Sequence, residues 1–119
     1  TALGVSVEHV GMSGWTTRQM LDHQHSSVGT DVCGEKHPGL AKLCHGGRFS
    51  TVILMAGTND LGERSAEEIF DNLKALHEIC HAAGAKTVAL SIPQSKAAII
   101  GPTFLVERRE RVNSLLGGY

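Results

Sequence analysis

Aromatic residues are scarce, with three Phe, one Trp and one Tyr making up 4% of the chain. A surface that stacks nucleobases needs a set of exposed rings, and this supply excludes one. Charge of one sign is also lacking. Eleven Lys and Arg face twelve Asp and Glu, for a net charge of −1, and the basic residues are scattered, so there is no basic footprint for nucleic acid. No apolar run approaches the length of a membrane-spanning helix. Three cysteines are an odd count, which fits reduced thiols in a cytosolic protein better than a disulfide framework. A Cys33–Cys44 bridge is the alternative in an oxidising compartment. The first residue is Thr1 and no signal-like segment comes after it, so the sequence reads as trimmed or processed. The remaining composition is ordinary: 41% hydrophobic and 19% charged over 119 residues, enough for a single small domain.

The organising stretch is Thr51-Val52-Ile53-Leu54-Met55-Ala56-Gly57-Thr58-Asn59-Asp60. Its apolar half predicts a strand buried on both faces, as in a parallel sheet. Its polar half predicts a turn at the carboxyl end of that strand, where open α/β sheets place their ligands. Asn59, an uncharged amide donor at the rim of a rigid sheet, is therefore the first functional candidate. The competing reading is that Asn59 and Asp60 only shape the turn or cap the next element.

Upstream, Val5, Val7 and Val10 alternate with polar residues and predict a strand over residues 3–10. Gly11-Met12-Ser13-Gly14 is a turn, and Thr16 or Thr17 caps a short helix to about His23, with Met20 and Leu21 inward. Residues 23–35 lack periodicity and read as loop. Pro38 opens a second short helix, with Leu40, Leu43 and Cys44 inward and Gly46-Gly47 ending it. Downstream, Ser65-Ala66-Glu67-Glu68 is a capping box. Ile69, Leu73, Leu76, Cys80 and Ala83 recur after it at helical spacing, and Gly84 stops that helix. Residues 86–92 form a second apolar strand ended by Pro93. Residues 94–102 are loop, and Thr103 caps a last helix with Leu105, Val112, Leu115 and Leu116 inward, interrupted by Arg109. Strands alternating with helices predict an α/β fold with a parallel sheet, in one domain spanning residues 1–119.

Gly57-Thr58-Asn59-Asp60 at a strand end resembles the third sequence block of the SGNH hydrolases, the GDSL-like esterases and lipases. Val10-Gly11-Met12-Ser13-Gly14-Trp15-Thr16 is similar to the second block, with Gly14 on its glycine. Ala82-Ala83-Gly84-Ala85-Lys86, Val88-Ala89-Leu90-Ser91-Ile92-Pro93 and Arg111-Val112-Asn113-Ser114-Leu115 also follow the family pattern. The resemblance covers the family's middle portion. It implies a three-layer α/β/α fold of flavodoxin-like type, incomplete because the first and last catalytic blocks have no counterpart here. It implies serine-dependent hydrolysis of a small acyl ester without cofactor or metal, in which serine attacks a carbonyl and histidine, oriented by aspartate, takes its proton. Gly14 and Asn59 are then the catalytic oxyanion-hole donors. The Gly-Asp-Ser block with the nucleophile and the late Asp-x-x-His block do not occur in their family places. His9 stands where the second block usually has Asn, and Trp15 where a small or acidic residue is common. The 119 residues alone are therefore expected to be inactive.

Four rival constellations exist. Asp22-His23-Gln24-His25 matches Asp-x-x-His but lies between the second and third blocks. Gly11-Met12-Ser13-Gly14-Trp15 approaches a nucleophile elbow, but Trp15 replaces its last glycine. His77-Glu78-Ile79-Cys80-His81 is a literal H-E-x-x-H, the zinc-hydrolase pattern, although Glu78 lies opposite the apolar stripe, the histidines read as solvated flanks of the helix, and no third ligand is suitably spaced. Cys33, His37, Cys44 and His45 match no standard zinc spacing. An SGNH-derived module that binds or assembles without catalysis is a further reading. The family sheet has its nucleophile strand between residues 3–10 and the strand at Thr51. Without it two strand edges lack partners, which predicts a homo-oligomer or a strand-swapped dimer.

Overall fold

The computed structural model describes residues 7–94 and 101–119. Among the described residues, eight regular elements run in the order α1 (Thr17–Asp22), β1 (Gly29–Thr30), β2 (Lys36–His37), α2 (Leu40–Cys44), β3 (Thr51–Leu54), α3 (Ala66–Ala82), β4 (Lys86–Ala89) and α4 (Thr103–Gly117), with 3₁₀ turns at His45–Gly47 and Thr58–Asp60. The fold is mixed helix and strand around a small parallel sheet. β3 pairs with β4 from Thr51↔Lys86 to Leu54↔Ala89, and α3 is the crossover between them.

α3 carries the core. The hydroxyl of Ser65 accepts the Glu68 N–H at 3.2 Å, and Glu67 and Glu68 place negative charge at the positive helix end. The Glu68 carboxylate accepts from the Ser65 hydroxyl at 3.2 Å rather than from the Ser65 backbone, so the expected box is only half formed. Ile69, Leu73, Leu76 and Cys80 are buried, as their spacing predicts. Gly84 at φ +87 ends the helix in the left-handed conformation. Around this helix pack Leu21 of α1, Cys44 of α2, Leu54 of β3 and Val112 of α4.

α1 begins with a full capping box. The Thr16 N–H donates to Gln19 Oε1 at 2.9 Å and the Gln19 N–H to Thr16 Oγ1 at 3.2 Å. α2 starts at Leu40, two residues past Pro38, with Gly39 as its cap. A Cβ on Gly39 would sit 2.0 Å from the His23 carbonyl oxygen, so only glycine fits there. Pro102, not Thr103, caps α4, and no side chain bonds its first turn. Arg109 interrupts the α4 stripe for a reason that periodicity does not show. Its Nε donates to the Ile92 carbonyl at 3.1 Å, while Asn113 Oδ1 accepts the Ile92 N–H at 2.7 Å. A buried backbone segment past the end of β4 needs polar partners, and α4 supplies them.

Three expectations about strands and loops also fail. Residues 7–10 form no strand, and Val7 is 75% exposed. The rest of that predicted strand lies outside the described residues, as do residues 95–100 of the predicted loop. A parallel strand exists only through ladder bonds to a neighbour, and residues 7–10 make none. They are tied instead by Glu8 to Arg48, at 2.5 Å. Second, β3 is not buried on both faces. Ile53 and Met55 are 63% and 58% exposed, beside Val88 and Leu90 at 45% and 43%. The two-stranded sheet meets the core on its Leu54 side, and its opposite face is apolar and open among the described residues. Third, residues 23–35 are not simply loop: β1 and β2 pair antiparallel as a short hairpin. No helix among the described residues is long and apolar enough to cross a membrane.

Candidate functional site

The end of β3 turns through Gly57 at φ +111, a conformation that side chains rarely adopt. A Cβ there would lie 2.9 Å from Ile92 Cδ1 and 3.3 Å from Ile69 Cγ2. The 3₁₀ turn Thr58–Asp60 comes next and sends Asn59 and Asp60 opposite ways. Asn59 is exposed and Asp60 is fully buried.

Asp60 is the inner anchor. The Thr17 N–H donates to Asp60 Oδ1 at 2.8 Å, the Thr17 hydroxyl donates to Oδ2 at 2.5 Å, and Asn72 Nδ2 donates to Thr17 Oγ1 at 3.1 Å. Burial raises the Asp60 pKa, and the Thr17 bonds and Arg64 only partly offset that. This network joins the first turn of α1 to the end of β3.

Asn59 is the outer group. Its Nδ2 donates to the Trp15 carbonyl at 2.9 Å, which fixes the amide orientation and leaves its other amide hydrogen without an acceptor among the described residues. Gly14 precedes Trp15 at φ +78, and a Cβ on it would lie 2.6 Å from Val32 Cγ1. The Gly14 N–H meets no acceptor among the described residues. Gly14 and Asn59, the two residues singled out from sequence, line one cleft with Thr16, Arg18, Gln19 and Arg64.

The hairpin holds the Gly14 loop in place. Asp31 Oδ2 accepts the Ser13 N–H at 3.0 Å, and Oδ1 accepts the N–H groups of Cys33 and Glu35 at 2.9 and 3.0 Å. Burial pushes the Asp31 pKa up, but the three backbone donors outweigh that and hold it below the usual carboxylate range. The Trp15 indole N–H donates to the Thr30 carbonyl at 3.2 Å. Asp31 is a site-building residue that sequence reasoning missed; an Asp two residues before Cys33-Gly34 is the Asx-turn signal that could have found it.

The rival constellations do not converge. Asp22 is held by Arg18 at 2.6 Å on the Gly14–Asn59 cleft, whereas His25 lines a different groove, between α2 and α3. Ser13 serves the hairpin through its backbone. Glu78 faces solvent as expected, but His77 does not flank the helix in water: it is buried against Tyr119, with ring centroids 5.8 Å apart. His77 Nδ1 and His81 Nε2 both meet the Thr87 hydroxyl, at 2.8 and 2.9 Å. Burial and then the neighbouring His81 lower the His77 pKa, which favours a neutral ring bonded to Thr87. Cys33 is exposed while Cys44 is buried, and both are free thiols, so the Cys33–Cys44 bridge is absent. Among the described residues no three His, Cys, Asp or Glu side chains gather to hold a metal.

Compared with protein-family models, curated proteins and solved structures, the chain matches none.

Proposed function

We propose that this chain is the middle portion of an SGNH-type acyl-ester hydrolase, in which the Gly14 N–H and the Asn59 amide hold the oxyanion of a small ester as a serine attacks it. The observation that carries this reading is the pairing of Gly14 and Asn59 on one cleft, with Asn59 turned toward the Gly14–Trp15 backbone and the Gly14 N–H meeting no acceptor among the described residues. Two donors fixed where negative charge develops are what acyl transfer requires. The finer architecture belongs to the same proposal: a three-layer, flavodoxin-like sheet of which β3 and β4 are two strands.

The 119 residues hold no Gly-Asp-Ser block, so they should not hydrolyse p-nitrophenyl acetate above background. A fluorophosphonate probe, which marks activated serines, should label none of them. Specific labelling of one serine in the folded chain would refute this division of labour. The flanking coding sequence is the complementary test: an upstream Gly-Asp-Ser and a downstream Asp-x-x-His support the hydrolase.

A second reading, an SGNH-derived module that assembles without catalysis, is favoured by the open apolar face of Ile53, Met55, Val88 and Leu90. An exposed strand edge beside such a face invites pairing. On this reading the chain is a homo-oligomer or strand-exchanged dimer, and light scattering gives at least twice the monomer mass. A compact, cooperatively melting monomer at high dilution rules it out.

A further inference from the structure

His77 and His81 stand one turn apart on α3, so their rings share one face of the helix. That face looks onto β4, where Thr87 lies between the two rings. The Thr87 hydroxyl is 2.8 Å from His77 Nδ1 and 2.9 Å from His81 Nε2. The surroundings of the rings differ. His77 is buried, with the Tyr119 ring edge-on to it at 5.8 Å between centroids, whereas His81 is exposed.

A threonine hydroxyl has one hydrogen to donate. Of the two nitrogens facing Thr87, one therefore receives that hydrogen and the other donates its own N–H to the oxygen. One proton added to the pair fits this arrangement. Placed on His81 it leaves the charge in water: His81 Nε2–H donates to Thr87, and Thr87 donates to a neutral His77. A second proton does not fit. It makes both facing nitrogens donors, leaves the Thr87 hydrogen without a partner in the trio, and buries a cation beside another. The charged groups nearby do not relieve it. On α3, Lys74 is itself a cation paired with Asp71 at 3.4 Å, and Glu78 is exposed. β4 adds only the exposed Lys86, α4 meets α3 through Arg111 on Glu67 at 3.4 Å, and past α4 the contact is the Tyr119 ring. Burial first, and then His81, lower the His77 pKa from its ordinary 6.5.

We propose that His77, Thr87 and His81 form an acid-sensitive clasp of α3 on β4, which holds with no proton or one added to the pair and gives way with two. The unfolded chain takes up both protons, so below the ordinary histidine range it binds more of them than the folded chain. The stabilisation is therefore complete above pH 6.5 and is lost as pH falls toward the lowered folded value of His77. The clasp closes the crossover that joins β3 to β4, so acid acts on the seam between the core helix and the sheet.

The test compares the wild-type chain with His77→Gln, whose amide bonds a hydroxyl but takes up no proton. Melting curves are recorded from about pH 7.5 down to about pH 5. The wild type is expected to lose about 3–6 °C more in Tm than His77→Gln over that range, the effect of one hydrogen bond and its buried group. Every other titrating group is common to both proteins. Parallel curves overturn the proposal. Ring-nitrogen NMR of the wild type gives a second readout that does not depend on how His77→Gln folds. At the acid end of the folded range His81 is expected to carry hydrogen on both nitrogens, and His77 to be neutral with its hydrogen on Nε2. A folded chain in which both rings carry two hydrogens overturns the proposal.

Discussion

On the proposed hydrolase reading, replacing Asn59 by Ala should lower kcat/KM on p-nitrophenyl acetate by about 100- to 1,000-fold in a protein that carries the serine, with little change in Tm. The magnitude is that of losing one preorganised oxyanion donor, about 3–4 kcal/mol of transition-state stabilisation. The fold should tolerate the change because Asn59 is exposed and its side chain makes one bond, to the Trp15 carbonyl at 2.9 Å. An exposed neutral bond of this kind contributes about 1 kcal/mol or less. Asn59→Asp is the sharper control. It keeps the shape but replaces both donor hydrogens with a carboxylate that repels a developing oxyanion, so it should be at least as inactive as Ala. Turnover that survives both substitutions would mean that Asn59 is a turn residue and nothing more. A loss of turnover that tracks a loss of Tm would point to the same conclusion.

Local patterns in the sequence foretold local structure. The stripe on α3 is legible because four residues at helical spacing bury one face whatever surrounds them, and the Thr16 cap is legible because it acts within one turn. Gly14 and Asn59 were legible as candidates, and the structure brings them to one cleft. Long-range partners left no such trace. Nothing around Asp31 announces that it would accept the Ser13 N–H from eighteen residues away. The β1–β2 hairpin escaped notice because two-residue strands have no period to read. The open face of β3 misled for another reason. An apolar run looks alike whether helices cover it on both sides or on one, and only the count of layers decides. His77 was misread as a solvated flank because its partner Thr87 sits on β4, across the crossover, where helical periodicity has no reach.

Asp60→Ala should destabilise the chain by about 3 kcal/mol, lowering Tm by about 10–15 °C. The carboxylate is fully buried and takes both donors of Thr17, at 2.8 and 2.5 Å. Removing it leaves a buried N–H and a buried hydroxyl without their acceptor, at about 1–3 kcal/mol each, and opens a small cavity at the junction of α1 and β3. Asn59 and the Gly14–Trp15 backbone hang from the two ends of that junction, so the cleft should loosen as well. Asp60→Asn keeps the volume and one acceptor, and should cost about 1 kcal/mol. The pH dependence separates burial from charge. Burial raises the folded pKa of Asp60 above its ordinary value of 3.8, so the folded state holds its proton longer than the unfolded chain. The resulting stabilisation is complete below pH 3.8 and is lost as pH rises through the raised folded value. Measured as Tm against pH from that point upward, the wild-type curve should fall relative to that of Asp60→Asn, which has no proton to lose. Parallel curves, or an Asp60→Ala protein that melts with the wild type, would show that the Thr17–Asp60 contact does not hold α1 to the sheet.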